Sequence, residues 1–182
     1  MKNIALHILD LVQNSARANA SKVLISITED PVGGSYHLKI QDNGEGMGED
    51  ILQKATNPFY TSRATRKVGM GLPLVQMNAE RTGGSFALHS VRGKGTSVEA
   101  DFKLSHPDRL PMGEIDDVLV LLAVGLPQLR LVYEHKTPYG TYCFDTEVIS
   151  EIIGNIQETN MEIRRFLKEL IAENLKDIKA ES

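Results

Sequence analysis

Residues 42–47 read Asp-Asn-Gly-Glu-Gly-Met and directly follow residues 36–41, in which apolar and polar side chains largely alternate. Such alternation predicts a half-buried strand. An aspartate followed by two glycines, one residue apart, indicates a turn at which the backbone closely approaches another group. Asp42 can accept a hydrogen bond, and Gly44 and Gly46 lack the Cβ atoms that would block a flat ligand. Ordinary turns and calcium loops share this pattern, so other parts of the chain are needed to distinguish a ligand-binding turn from these alternatives.

Composition limits the classes of protein to consider. The chain has 182 residues, a formal net charge of −4 and 41% hydrophobic residues, as expected for a globular protein with no general attraction to nucleic acid or membranes. Cys143 is its single cysteine, which excludes an internal disulfide and a multi-thiolate metal site. The sequence has no signal-peptide pattern and no apolar run near the ~20 residues that span a bilayer. We therefore expect a cytoplasmic protein.

The first segment, residues 3–18, has apolar side chains at the spacing of one buried helix face. Asp10 and Asn14 are one turn apart on that helix, and Arg17 follows. The three residues are either a solvated polar stripe or a cation and phosphate site. In the second case Asn14 supplies an oxygen ligand to Mg²⁺, Asp10 holds a water molecule and Arg17 meets a phosphate.

The next segments predict two strands, residues 22–29 and 36–41, and a short helix at 49–55. A basic loop containing Arg63, Arg66 and Lys67 then leads into Gly69-Met70-Gly71-Leu72-Pro73 and a helix over 72–82. Glycines before a helix expose backbone N–H groups that bind phosphate, although no Gly-Lys-Ser/Thr follows as in a P-loop. A hairpin of residues 85–91 and 96–104 completes an antiparallel sheet with helices on one face. The fold class is α+β, a two-layer α/β sandwich.

Four motifs follow one another along the chain, and Gly95-Thr96 comes after them. The motifs are Asp10-x-x-x-Asn14-x-x-Arg17, Asp42-x-Gly44-x-Gly46, Asn57-Pro-Phe59-Tyr-Thr61 and Gly69-x-Gly71-Leu72. This set resembles the nucleotide-binding domain of the GHKL (Bergerat-fold) superfamily. That superfamily includes sensor histidine kinases, DNA gyrase, MutL mismatch-repair proteins and the ninety-kilodalton heat-shock chaperones. The resemblance covers residues 1–104 and is greatest to the catalytic ATP-binding domain of sensor histidine kinases.

The resemblance implies a role for each matching position, with ATP and Mg²⁺ as ligands. Asn14 corresponds to the magnesium ligand, and Asp42 to the aspartate that accepts the adenine amino group. Phe59 belongs to the motif that starts the mobile lid over ATP in this superfamily, and the basic loop that follows it is part of the same lid. The positions further implied to bind the nucleotide are Arg17, Gly44, Gly46, Met47, Phe59, Gly69, Met70, Gly71, Leu72 and Thr96.

Three positions depart from the family pattern. Asp10 stands where hydrolysing members carry a catalytic glutamate, and its side chain is one methylene shorter. Pro73 replaces a glycine, and Met70 replaces a small polar residue. Asp10 is therefore the one candidate catalytic residue, and the resemblance leaves its activity open.

Residues beyond 104 have no counterpart in that resemblance. We expect a linker at 105–117 and a small α+β appendage at 118–182. Strands are predicted at 118–124, 129–136 and 141–144, and helices at 146–153 and 158–178. The appendage could serve as a homodimer interface.

None of the five histidines lies in a helical hairpin suited to accept phosphate. His135 alone lies in the appendage, where we expect a surface strand position. The sequence therefore predicts an Mg-ATP-binding, histidine-kinase-like regulatory phosphotransferase that acts on a partner protein. The alternatives are a non-enzymatic, ATP-gated binding switch and a slow ATPase that uses Asp10.

Overall fold

The computed structural model describes residues 1–57, 71–154 and 160–181. Its helices and strands follow one another as α1 (Ile4–Arg17), β1 (Lys22–Asp30), β2 (Ser35–Asp42), α2 (Glu49–Leu52), α3 (Gly71–Arg81), β3 (Phe86–Val91), β4 (Gly95–Lys103), α4 (Ile115–Gly125), β5 (Arg130–Thr137), β6 (Gly140–Asp145), α5 (Thr146–Ile153) and α6 (Met161–Asp177).

The strands form one sheet of six in the order β3-β4-β2-β1-β5-β6. All neighbouring pairs are antiparallel except β1 and β5, which run parallel. Asp42, at the end of β2, lies opposite Val23 on β1 and Thr96 on β4. The Asp-x-Gly-x-Gly stretch therefore begins at one end of the central strands, beside the carboxyl end of α1.

The sheet and the helices form two layers around one core. In β1 the side chains of Val23, Ile25 and Ile27 are at most 1% exposed, and they alternate with partly exposed residues. Helix α1 packs against β1, β2, α3 and α4, while α4 packs against β5 and α6. The opposite face of the sheet carries polar pairs such as Lys39 and Glu99, whose Nζ and Oε1 atoms lie 2.8 Å apart. The predicted α+β sandwich is confirmed.

The amino end of α1 is held by side-chain and backbone acceptors. Asn3 Oδ1 accepts a hydrogen bond from the Leu6 N–H at 3.0 Å, as an N-cap residue does. The carbonyls of Pro111 and Met112 accept from the N–H groups of Ile4 and Ala5 at 3.0 and 2.9 Å. Residues 105–117, expected to be a linker, thus supply acceptors that α1 needs.

The prediction of a strand at residues 118–124 is wrong, because these residues lie within α4. Strands β4 and β5 run in the same direction, so the chain between them has to cross back over the sheet, usually through a helix. The apolar run alone could not separate a buried helix from a buried strand. The buried positions in α4, namely Ile115, Val118, Leu119, Leu122 and Ala123, recur with helical spacing.

The carboxyl-terminal strands extend the same sheet. Strand β5 pairs with β1 along residues 130–136, so the sheet crosses the boundary that the sequence suggested after residue 104. The expected surface position of His135 is also wrong, since its side chain is fully buried. Its burial follows from the parallel pairing with β1, which places it opposite Ile27 on the core face.

Candidate nucleotide site

Asp42 is held by three hydrogen-bond donors. Its Oδ1 atom accepts from the backbone N–H groups of Gly44 and Thr96, at 2.9 and 3.2 Å. Its Oδ2 atom accepts from the Ser15 hydroxyl at 2.6 Å. These donors come from the glycine loop, from β4 and from α1, so three elements fix one carboxylate. Because Asp42 is only partly buried, the carboxylate remains within reach of a ligand.

The glycines of the loop are required by contacts within the protein. A Cβ atom on Gly44 would lie 2.6 Å from the carbonyl oxygen of Ala18 at the end of α1. One on Gly46 would lie 2.1 Å from the carbonyl oxygen of Val91, and Gly46 also has a φ of +64°. The sequence alone suggests that these positions are glycine because a flat ligand needs the space. In the structure they let the loop pack against α1 and the β3–β4 turn.

Further hydrogen bonds tie the loop to that turn. Met47 N–H donates to Ser90 Oγ at 2.8 Å, and Ser90 Oγ lies 2.9 Å from Thr96 Oγ1. Gly93 N–H donates to the carbonyl of Glu45 at 2.6 Å. Met47 and Thr96, both predicted site residues, are therefore joined through Ser90 beside Asp42.

The polar residues of α1 form a chain of contacts beside the loop. Asn14 Nδ2 lies 3.4 Å from Asp10 Oδ2, and Arg17 Nη1 donates to Asn14 Oδ1 at 3.0 Å. Asp10 and Asn14 are partly buried, whereas Arg17 is exposed. The three predicted residues thus lie together, with the carboxylate at one end and the guanidinium at the other.

Helix α3 begins against Asp10. A Cβ atom on Gly71, the first residue of α3, would lie 2.1 Å from Asp10 Oδ2 and 3.6 Å from Asn14 Nδ2. Leu72, the next residue, packs partly buried against the core. The amino end of α3 therefore lies beside Asp10 and Asn14, and the positive end of a helix dipole favours anions.

Three predicted site residues, Phe59, Gly69 and Met70, lie outside the described residues, as does the basic segment of the expected lid. The structure brings together the others: Asp10, Asn14, Arg17, Asp42, Gly44, Gly46, Met47, Gly71, Leu72 and Thr96.

Sequence reasoning missed two hydroxyl residues of this site, Ser15 and Ser90. Ser15 falls on the apolar face of α1, where packing is the expected role. Its side chain is 4% exposed, and a polar group so buried needs a partner. A serine on the apolar face of a predicted helix therefore indicates a hidden hydrogen-bond partner. No such signal exists for Ser90, because its contact with Thr96 depends on how β3 pairs with β4.

A second contact links α1 to α3. Asn78 Nδ2 lies 3.0 Å from His7 Nε2, and His7 is 2% exposed. Burial, followed by the positive amino terminus, lowers the pKa of His7 to about 4, against a smaller opposite influence from Asp10. At neutral pH the ring is uncharged, so Nε2 accepts the hydrogen bond from the Asn78 amide.

The donors present suit a magnesium ion that is shared with a nucleotide. In the part of the chain that the structure describes, no group of three or more His, Cys, Asp or Glu side chains could hold a metal. Mg²⁺ bound with a nucleotide typically takes one or two protein oxygens, with phosphates and water completing its shell. The oxygen of Asn14 meets that description, and the neighbouring carboxylate of Asp10 is placed to hold a water of the shell.

The comparison with known families identifies the class. The family of histidine kinase-, DNA gyrase B- and HSP90-like ATPases matches residues 2–106, more than half of the chain. The chain belongs to this family, and the resemblance found in the sequence is confirmed. It therefore carries an ATP-binding domain of the kind found in sensor histidine kinases.

Individual relatives support the kinase-like character of that domain. The sensor histidine kinase ZraS of Escherichia coli K12 is 30% identical over 90 residues, which cover 50% of this chain and 19% of ZraS. The sensor kinase CckA of Brucella abortus is 34% identical over 84 residues, 46% of this chain and 8% of CckA. This chain spans less than a fifth of the length of either relative.

The fold also has a solved counterpart. The crystal structure of the N-terminal domain of a DNA repair protein matches with a TM-score of 0.53 and 18% identity, covering 80% of this chain and 52% of that one. At this identity the likeness concerns the fold alone. Among the described residues, none of the helices is both long and apolar enough to cross a membrane.

Proposed function

We propose that this chain binds Mg-ATP and transfers the γ-phosphoryl group to a residue of a partner protein, as a histidine-kinase-like regulatory phosphotransferase. The observation that carries the proposal is the environment of Asp42. A partly exposed carboxylate held by three donors can accept one more hydrogen bond in a fixed direction. The exocyclic amine of adenine donates such a bond, whereas guanine has a carbonyl at the same position.

The phosphates would lie toward Asn14 and the amino end of α3. Bound Mg²⁺ would neutralise charge that develops on the transferred group and on the leaving ADP. Asn14 would supply its oxygen to the ion and Asp10 would orient a coordinated water. Arg17, which donates to Asn14 Oδ1, is close enough to turn toward a phosphate. Catalysis of this type consists mainly of positioning and charge stabilisation.

The positions of three of the five histidines, His7, His37 and His135, are unsuited to accept phosphate, which supports an acceptor on another protein. His135 and His7 are buried, at 0% and 2% exposure. His37 Nδ1 lies 2.7 Å from Asp101 Oδ1 on the polar face of the sheet, away from the helices. In-line transfer requires an acceptor within about 3–3.5 Å of the γ-phosphorus. Each buried ring would have to leave its hydrogen-bond partner, Asn78 for His7 and Glu29 for His135, to reach a phosphate.

The contact between Asp10 and Asn14 favours one second candidate, slow hydrolysis. A carboxylate beside the expected metal ligand could hold the attacking water. An ATP-gated switch, in which nucleotide binding reorganises a partner surface without chemistry, is the non-enzymatic alternative.

One experiment separates these functions. The purified chain is incubated with γ-labelled ATP and magnesium, with and without a cell lysate. The proposal expects label on a second protein, and at an ATP concentration below the dissociation constant Asp42→Asn should reduce that label strongly. Label released as phosphate would identify the ATPase. Binding of ATP with neither transfer nor release would identify the switch and contradict the proposed transferase.

A further inference from the structure

We propose that Ser15 is a positioning residue that gives the nucleotide site its selectivity for the adenine amino group. The inference rests on the proposed binding of ATP and concerns the same site. Ser15 lies one residue beyond Asn14 in α1, but its side chain faces the core rather than the polar contacts of Asp10 and Arg17. Its hydroxyl reaches Asp42, the residue directly before the glycine loop.

The hydrogen bonds divide the two oxygens of Asp42 into different roles. Oδ1 accepts from two backbone N–H groups, those of Gly44 and Thr96, so its acceptor capacity is used within the protein. Oδ2 accepts only from the Ser15 hydroxyl among the described contacts of Asp42. Oδ2 is therefore the atom with a remaining lone pair for a ligand, and Ser15 determines where that lone pair points.

The hydroxyl itself is well constrained. Ser15 Oγ lies 2.6 Å from Asp42 Oδ2 and 3.3 Å from the carbonyl oxygen of Leu11. Its single hydrogen favours the shorter bond to the charged acceptor. Because Ser15 is 4% exposed, water cannot readily replace the bond. Removing the hydroxyl should leave the backbone contacts to Oδ1 in place while freeing the carboxylate to rotate about them.

The test measures binding of ATP and of purine riboside triphosphate, which lacks the 6-amino group, by calorimetry with magnesium. In the wild type we expect ATP to bind about 10- to 100-fold more tightly, the range for a hydrogen bond to a charged group. Ser15→Ala should reduce this ratio at least threefold through weaker ATP binding, with little change for the analogue. Ser15→Thr, which keeps the hydroxyl, should retain more of the ratio than Ser15→Ala.

A double-mutant cycle shows whether Ser15 acts through Asp42. Asp42→Asn should remove most of the ratio, and adding Ser15→Ala to it should produce no further loss. The matched control is Ser85→Ala, which deletes a similar serine–aspartate bond, 2.7 Å from Ser85 Oγ to Asp101 Oδ2, at the far end of β4. This variant should keep the wild-type ratio. Thermal melts of all variants report changes in folding.

Each outcome bears on a different claim. If the wild type binds both triphosphates equally, adenine recognition itself is overturned, and with it the role of Ser15. If the wild type discriminates and Ser15→Ala keeps the full ratio, only the role of Ser15 is overturned. The role of Ser15 is also overturned if Ser15→Ala weakens both ligands equally, since that result describes a structural residue.

Discussion

His135 Nε2 lies 2.7 Å from Glu29 Oε1, and the two side chains meet in the core at the opposite end of β1 from Asp42. His135 Nδ1 lies 2.7 Å from the Tyr133 hydroxyl, and the N–H of Glu181 donates to the same Glu29 oxygen at 2.8 Å. Burial alone would raise the pKa of Glu29, but the hydrogen bonds from His135 and Glu181 hold it below its ordinary value. The network joins β1, β5 and the residues after α6.

This network predicts that His135 supports stability and accepts no phosphate. His135→Ala would leave Glu29 buried without its histidine partner, at a cost of roughly 3 kcal/mol or more in the free energy of unfolding. Urea denaturation measures that loss. Incubation with γ-labelled ATP should give no acid-labile label on the wild type.

Label on His135 would contradict its burial, and acid-labile label that survives His135→Ala would place the acceptor elsewhere on the chain. The exposed His89 offers a control for the denaturation experiment. His89→Ala should change the free energy of unfolding by less than about 0.5 kcal/mol, as surface substitutions usually do.

The lowered pKa of His7 should make the protein less stable in mild acid. Its pKa is about 4 in the folded protein against 6.5 as the ordinary value, so the unfolded chain binds the proton more readily. The stability that the neutral ring contributes is complete above pH 6.5 and falls as the pH drops toward 4. At about 1.36 kcal/mol per unit, the loss approaches about 3 kcal/mol.

Urea titrations at a series of pH values measure this dependence, with His7→Gln as the control. Glutamine does not titrate, and its amide oxygen can still accept from Asn78. Between pH 6.5 and 4 the variant should lose less stability than the wild type. Parallel curves would mean that carboxylates, rather than His7, dominate this window.

Asp42→Asn should weaken ATP binding by about 1.5–3 kcal/mol, the range for a lost hydrogen bond to a charged group. The fold should tolerate the change, because the asparagine oxygen can accept from Gly44 and Thr96 while its amide nitrogen donates to Ser15 Oγ. That nitrogen would then oppose the adenine amine. Calorimetry with ATP and GTP tests both steps, and equal affinities for the wild type would refute adenine recognition.

Substitutions of Asn14 and of Asp10 should affect metal binding and hydrolysis separately. Asn14→Ala should remove the part of ATP affinity that depends on magnesium, since the amide oxygen is the proposed ligand. Asp10→Asn should change ATP affinity little and remove any release of phosphate. Binding measured with magnesium and with a chelator gives the first quantity, and phosphate release gives the second. Unfolding of Asn14→Ala without a measurable effect on the site would make Asn14 a structural residue.

The sequence predicted the amino-terminal half well because its signals are local. Alternation in residues 36–41, the glycine turn and the spacing of α1 each report on a few neighbouring positions. The hairpin of β3 and β4 was predicted to within a residue or two at each end. The contacts of Asp10, Asn14 and Arg17 followed from helical spacing alone.

The later part depended on information that local patterns lack. Residues 118–124 form a helix because β4 and β5 run in the same direction, and that direction is set by strand pairing across more than a hundred residues. The burial of His135 has the same origin. The role of Ser15 in the site could not be predicted from local patterns, because its hydrogen bond joins residues 27 positions apart.

Gly46 and Gly34 share a backbone conformation but have different surroundings. Gly46 and Gly34 have φ values of +64° and +68°, so alanine costs roughly 1–2 kcal/mol at either position. A Cβ atom on Gly34 meets nothing within 4 Å, whereas one on Gly46 would lie 2.1 Å from the Val91 carbonyl oxygen. Gly46→Ala should therefore cost roughly 3 kcal/mol or more in the free energy of unfolding and weaken ATP binding. Gly34→Ala should show only the backbone cost, with ATP affinity unchanged. Equal losses of stability, measured by urea denaturation, would mean that the loop can move away from the β3–β4 turn without penalty.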